Sequence, residues 1–424
     1  GAEGDRRIRI VCSTVGTATG TRSANLQHAA TINHMRLEEI QNHISSLGLA
    51  GWLLYDFQGS NPIARSVADR DMSNVTRRWF CFVPVEGPQR WLYHAIESSA
   101  FEGADGDHFT YGRWQDLVKQ VAAIVGGAGP IAVEYSPGGE IPYISRVDAG
   151  TLELIRGLNL EIVSSGELVQ LYEARWSSDQ HAAHMKAAEI LMGIKERTFD
   201  FVRARIGNGE PTTEYGIQSE MMKMFGENNL VTHCPPIVAV KARSADPHYL
   251  PTESQSQSLD KGDLLLLDLW GKLDVPGAVY ADITWMACLA SQPKQEHRDV
   301  FEIVCAARDR GVEFLREASK GNAPAGYEVD DVVRKVIDDA GYGDSFFHRT
   351  GHSIGIQDHG NGANIDNYET HDTRRLVQGV GFSIEPGIYL PGDFGVRTEI
   401  DVFMGSEGPM ITTLPLQKEI VCLA

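Results

Sequence analysis

Leu264-Leu-Leu-Leu-Asp268-Leu-Trp270 places the strongest constraint on this chain. The run reads as a buried strand, yet it contains an aspartate, and an ionised carboxylate taken out of water must be paired or must ligate a cation. A second acid follows fourteen residues later, in Val279-Tyr-Ala-Asp282-Ile-Thr284. That offset permits two paired strands joined across residues 271–277, which would bring both carboxylates to one site. Taken singly, either acid reads first as a strand-end or turn residue.

Three more positions repeat the pattern. His348, His352, His359 and His371 fall within 24 residues, in a frame too rich in Gly for a helix. A strand there could carry His352 into a site and leave the other His outside it, since side chains alternate between faces. Phe382-Ser-Ile-Glu385-Pro-Gly encloses one acid in apolar sequence, and in Gly395-Val-Arg397-Thr-Glu399-Ile-Asp401 acids alternate with apolar residues. For Asp401 a solvent-facing position is the expectation. Two Asp, one His and two Glu form an oxygen-rich set with one imidazole, which suits a pair of divalent ions such as Mn, Co, Zn or Fe better than a single structural zinc. Ions roughly 3.5 to 4 Å apart need bridging carboxylates, a reason for several acids to converge.

The ordered series D…D, H-x-x-x-H-x-x-G-x-x-x-H, E-P-G-x-Y, G-V-R-x-E resembles the pita-bread metallopeptidases, the family of Xaa-Pro aminopeptidase, prolidase and methionine aminopeptidase with the metal-free relative creatinase. The resemblance covers about residue 177 to the C-terminus and implies an α+β pita-bread catalytic domain. It implies that Asp268 chelates one ion, that Asp282 and Glu399 bridge two, and that His352 and Glu385 complete the second. It further implies a metal-bridged water as nucleophile, with Glu385 moving its proton to the leaving amine, and places His248, His359 and Arg397 on the substrate and the tetrahedral intermediate. Two features depart from the family: the interval between the two Asp is slightly longer, and residues 360–380 form a polar stretch. His348 and His371 are read as structural or rim residues.

The rest of the chain reads as two further segments. Residues 31–170 alternate helical and strand-like pieces, with helices at 32–47 and 114–125 and strands at 51–55, 78–85, 91–94 and 131–134, which predicts an α/β N-terminal domain of creatinase/prolidase type. Trp52, Trp79 and Trp91 are read as its core. Residues 171–424, opening with helices at 179–206 and 213–225, form the catalytic domain. Residues 1–30 are polar, too polar for the apolar core of a signal peptide, and are expected to be disordered and given no function.

Composition narrows the partners. Lys plus Arg number 38 against 57 Asp plus Glu, a net charge of −19, so the basic face that nucleic acid requires is not expected. Apolar runs fall far short of the roughly 18 to 20 residues of a membrane span. Six widely separated Cys without a C-x-x-C pair fit a reducing, cytoplasmic setting. The reading is a dinuclear, Mn-preferring peptidase that hydrolyses Xaa-Pro bonds of short proline-containing peptides, as dipeptidase or aminopeptidase, and acts as a homodimer. The alternatives are a creatinase-like metal-free amidinohydrolase and a non-catalytic binding protein on the same fold.

Overall fold

The computed structural model describes residues 37–70, 72–127, 129–318 and 322–424, so segment 1–30 lies outside the described residues. Residues 37–46 form helix α1, the described part of the expected 32–47 helix. Strands β1 (Gly51–Asp56), β2 (Trp79–Pro84), β3 (Arg90–His94), β4 (Asp107–Tyr111), β5 (Ile131–Val133) and β6 (Ile162–Ser164) make a six-stranded sheet in the order β4-β3-β2-β1-β5-β6. Every residue of β1 is buried, because layers cover both faces of the sheet. The two-residue period sorts them. Trp52 and Leu54 pack with Ile40 and Ile44 of α1 and with Ile63 and Val67 of α2 (Pro62–Ala68). Leu53 and Tyr55 pack on the other side with Leu117 and Val121 of α3 (Trp114–Val125) and Leu152 and Ile155 of α4 (Ala149–Arg156). Trp52, Trp79 and Trp91 are all core residues.

Helix α5 (Gly166–Val169) continues through a turn of π-helix over Gln170–Ala174 towards the long helix α6 (Ser178–Gly207). A reciprocal capping box between Ser177 and Gln180 starts α6. Helix α7 (Glu214–Glu227) follows, then β7 (Leu230–Val231), β8 (Ile237–Val240), β9 (Leu264–Leu273) and β10 (Ala281–Cys288). In β9, Leu265, Leu267 and Leu269 pack against α6 and α7. Leu264 and Leu266 face the other way, with Met286 and Cys288 of β10, into a core shared with α8 (Gln295–Ala318) and α9 (Gly326–Asp339). Asp268, Asp282 and Thr284 continue that second, inner row.

A separate four-stranded sheet, ordered β11-β12-β15-β16, consists of β11 (Ser353–Ile354), β12 (Gly381–Ile384), β15 (Ile400–Gly405) and β16 (Gly408–Ile411), with a hairpin of β13 (Gly387–Leu390) and β14 (Phe394–Arg397) beside it. Strand β17 (Val421–Cys422) returns to pair in parallel with β10. Gly351 is needed where it lies: a side chain there would strike the backbone carbonyl of Ser383, so glycine lets the His352 segment run against β12. Gln170 ties the two halves together, donating to the Arg375 carbonyl at 2.6 Å and accepting from the Ala363 amide at 2.7 Å. Among the described residues no helix is long and apolar enough to cross a membrane.

Candidate active site

The antiparallel register of β9 and β10 sets Thr284 opposite Asp268 and Asp282 opposite Trp270, so the hairpin delivers both aspartates to the inner face. Glu399 reaches the same place from the end of β14: its amide donates to the Thr284 carbonyl at 3.3 Å, and its Oε2 accepts from the Thr284 hydroxyl at 2.8 Å. His352 comes in ahead of β11, its amide donating to Ser383 Oγ at 3.0 Å. Ser383 Oγ in turn lies 3.2 Å from Glu385 Oε1. The result is a buried cluster in which one ligand atom each of Asp282, His352 and Glu399 lie within 4.8 Å of one another. His352 Nε2 is 3.4 Å from Glu385 Oε1, 3.8 Å from Asp282 Oδ2 and 4.0 Å from Glu399 Oε1.

Asp268 sits beside this cluster and is paired with Arg397, whose Nη2 donates to its Oδ2. The guanidinium is committed on other sides too: Nη1 donates to the Tyr389 hydroxyl at 3.0 Å and Nε to Thr284 Oγ1 at 3.2 Å. His348, read from sequence as structural or a rim residue, is part-buried, with Nε2 2.8 Å from the same tyrosine hydroxyl. His359 and His248 are exposed at the cavity wall, the His359 ring 4.3 Å from that of His352. His371 lies outside the cavity lining, 2.8 Å from Asn367 Oδ1.

Asp401 departs from its expected exposed position. It is fully buried, its Oδ2 accepts the Asp282 amide at 2.8 Å, and its Oδ1 has no partner. The alternation of acids and apolar residues misled here because β15 is an inner strand, flanked by β12 and β16 and covered on both faces. Sequence reasoning also missed Thr284, which two-residue spacing from Asp282 along one strand face could have identified. It missed Arg349 and Tyr143 as well, which meet at one end of a cavity of about 790 Å³, Arg349 Nη1 donating to the Tyr143 hydroxyl. Arg349 stands between His348 and His352 and was open to notice, but Tyr143 lies more than 200 residues away and carried no signal.

The electrostatics are those of too many acids in too little water. Asp282 is driven far above the usual carboxylate range by burial and then by the charges of Glu399, Asp268, Asp401 and Glu385. Glu399 is raised well above its ordinary value by burial, with Glu385 and Asp268 adding to it. Glu385 is lifted by burial to about 7, against the pull of Arg397 and Arg349. His352 is pushed well below its ordinary value by burial, and then by His359 and Arg349, so it presents a neutral nitrogen. Asp282 Oδ1 is buried without a partner. A divalent cation fits this donor set: it would satisfy the orphaned oxygen and relieve the repulsion among the carboxylates.

Residues 182–406, more than half of the chain, match the model of metallopeptidase family M24. The chain belongs to that family. Among curated relatives, this M24 chain is 32% identical to an Xaa-Pro dipeptidase of Pyrococcus furiosus and 29% identical to one of Pyrococcus horikoshii, over 254 residues each. Each alignment takes in 59% of this chain and 62% of the relative, so it spans less than two thirds of either archaeal protein. Among solved structures it superposes on dipeptidase PepE from Mycobacterium ulcerans with a TM-score of 0.70 at 22% identity, covering 92% of this chain and 97% of the other. On a prolidase from Thermococcus sibiricus the TM-score is 0.62 at 22% identity, with 91% and 98% covered. These likenesses establish the pita-bread fold behind an N-terminal α/β region.

Proposed function

We propose that this M24 chain hydrolyses the Xaa-Pro bond of short peptides and acts first as an Xaa-Pro dipeptidase. The observation that carries the reading is the buried convergence of Asp282, His352 and Glu399 within 4.8 Å, with Glu385 beside them, at the base of a cavity of about 790 Å³. Asp282, Glu399, His352 and Glu385 would hold two divalent ions, manganese foremost, and Asp268 would join them while keeping Arg397 as its partner. Ions bound there supply a water of lowered pKa and a polarised carbonyl.

The chain's own groups do the rest. Glu385, beside the cluster with Oε1 3.4 Å from His352 Nε2, is placed to take a proton from water and return it to the prolyl nitrogen as the C–N bond breaks. That nitrogen carries no hydrogen in an Xaa-Pro amide, so the site needs no acceptor for it. His359 and His248 stand at the cavity wall, where a ring N–H of each can donate to the oxygen on which charge develops. Arg349 lines the cavity with a side chain 10% exposed, and its fork fits the terminal carboxylate of a dipeptide. Tyr143, held against that guanidinium from the N-terminal half, favours two-residue substrates by closing the far end. The same reading includes a homodimer acting in the cytoplasm.

Hydrolysis of Ala-Pro, Ala-Pro-Ala and Ala-Ala by manganese-loaded protein, before and after prolonged chelation, tests this. Cleavage of Ala-Pro above the other two, lost on chelation and restored by Mn or Co, is the expected outcome. Equal turnover of Ala-Ala, or full turnover after rigorous metal removal, would overturn it.

A further inference from the structure

On the opposite end of β10 from Asp282, the strand pairs in parallel with β17, and Cys288 and Cys422 are direct partners in the register. Their Sγ atoms are 3.8 Å apart, so both side chains leave the same face. The backbone is held on either side of the pair: the Leu423 amide donates to the Cys288 carbonyl at 2.9 Å, and buried Leu423 anchors the strand end. Gln417 adds a second clamp, accepting from the Met286 amide at 2.9 Å and donating to its carbonyl at 2.6 Å. Neighbouring strands lie about 4.8 Å apart, within the Cα separation of roughly 4.4 to 6.8 Å that a disulfide spans. Closing the remaining gap therefore takes side-chain rotation with little backbone movement.

We propose that Cys288 and Cys422 are a redox-responsive pair that a peroxide converts to a disulfide, stapling the C-terminal strand to β10. The two thiols have different roles. Cys422 is exposed and meets the oxidant, whereas Cys288 is buried and its thiol is raised to about 11, chiefly by that burial. A hydroperoxide transfers one oxygen to the Cys422 sulfur, giving the sulfenic acid and an alcohol (water, if the oxidant is hydrogen peroxide). The Cys288 sulfur then attacks the Cys422 sulfur, the S–S bond forms as the S–O bond breaks, and hydroxide leaves as water with the Cys288 proton. The two thiols lose two electrons in all, and the peroxide gains them. A small thiol reverses the step by exchange.

The bond would close a loop spanning 134 positions, a large restriction of the unfolded chain. It lies at the far end of β10 from the carboxylate cluster, so hydrolysis should be left unchanged. The test treats the folded, metal-loaded protein with hydrogen peroxide or diamide, then alkylates it, maps peptides and measures thermal unfolding. A linked Cys288–Cys422 peptide lighter by two hydrogens is expected, with a midpoint several degrees above that of the reduced protein and full reversal by dithiothreitol. Cys422→Ser, a change at an exposed position, should fold normally and lose both the linkage and the shift. Both cysteines recovered as free thiols after oxidation would overturn the proposal. So would Cys422 recovered in a disulfide to any other cysteine, or an unchanged shift in Cys422→Ser.

Discussion

Glu134, just past β5 of the N-terminal sheet, and Asp282 in the β9–β10 hairpin are both buried acids, but their surroundings differ in kind. Both Glu134 oxygens are engaged: Oε1 accepts from Trp52 Nε1 at 2.6 Å and Oε2 from Asn61 Nδ2 at 2.8 Å. Asp56 nearby is treated the same way, accepting from the Asn61 amide at 2.9 Å and from Arg65 Nε at 2.9 Å. Asp282 keeps Oδ1 without a partner, and its neighbours are four further carboxylates and an imidazole. In the first region donors come to the acid, and the group is part of the scaffold. In the second, acids come to the acid, a destabilising arrangement that only a cation resolves. Burial alone does not make a carboxylate a candidate for cation binding; burial without donors does.

The largest test of that contrast is Asp282→Asn. An amide keeps the shape but removes the charge that would compensate a cation, so metal content should fall together with a loss of activity on the order of 10³-fold or more. Elemental analysis and rates on Ala-Pro check it, and retention of metal with near-normal rate would erase the distinction between the two acids. His359→Ala should separate chemistry from metal binding within the same cavity. It should keep its metal while kcat/KM falls by roughly 10². Metal loss in that variant would move His359 into the ligand set.

Asp401→Ala acts one step further out, because it leaves the Asp282 amide without its acceptor. Loosening a group that positions a ligand typically weakens metal affinity by roughly 10- to 100-fold, which competition with a metal indicator would read directly. An unchanged affinity would show that Asp282 keeps its aim without Asp401.

The last test falls on the scaffold acid. Burial lifts Glu134 from 4.5 to about 7, against the donors Trp52 and Asn61. Between those values the native state holds a proton that the unfolded chain has released, so stability is greatest below the lower value and declines as pH rises to the upper one. The loss is of order 3 kcal/mol at most by pH 8. Urea unfolding of the wild type and Glu134→Gln at pH 5 and pH 8 should show a smaller pH dependence in the variant. Equal slopes in the two proteins would mean that the two donors outweigh the burial.

The same contrast bears on what could be read in advance. The convergence of the candidate residues, their order and their setting in apolar strands were legible, because the cost of burying a charge and the two-residue period of a strand are local properties. Asp268, Asp282, His352, Glu385 and Glu399 each interrupt such a run, and each lies in or against the cluster. The core Trp residues and the alternating elements of the first half were legible on the same grounds. Tertiary structure decided the rest: that Asp401 turns inward behind Asp282, that Arg397 spends its fork on Asp268 and Tyr389, that Tyr143 meets Arg349 at the cavity wall, and that Cys288 faces Cys422. Each depends on the register between segments far apart in the chain. A shift of one residue turns a strand's side chains to the other face, and no local pattern fixes which distant strand lies alongside.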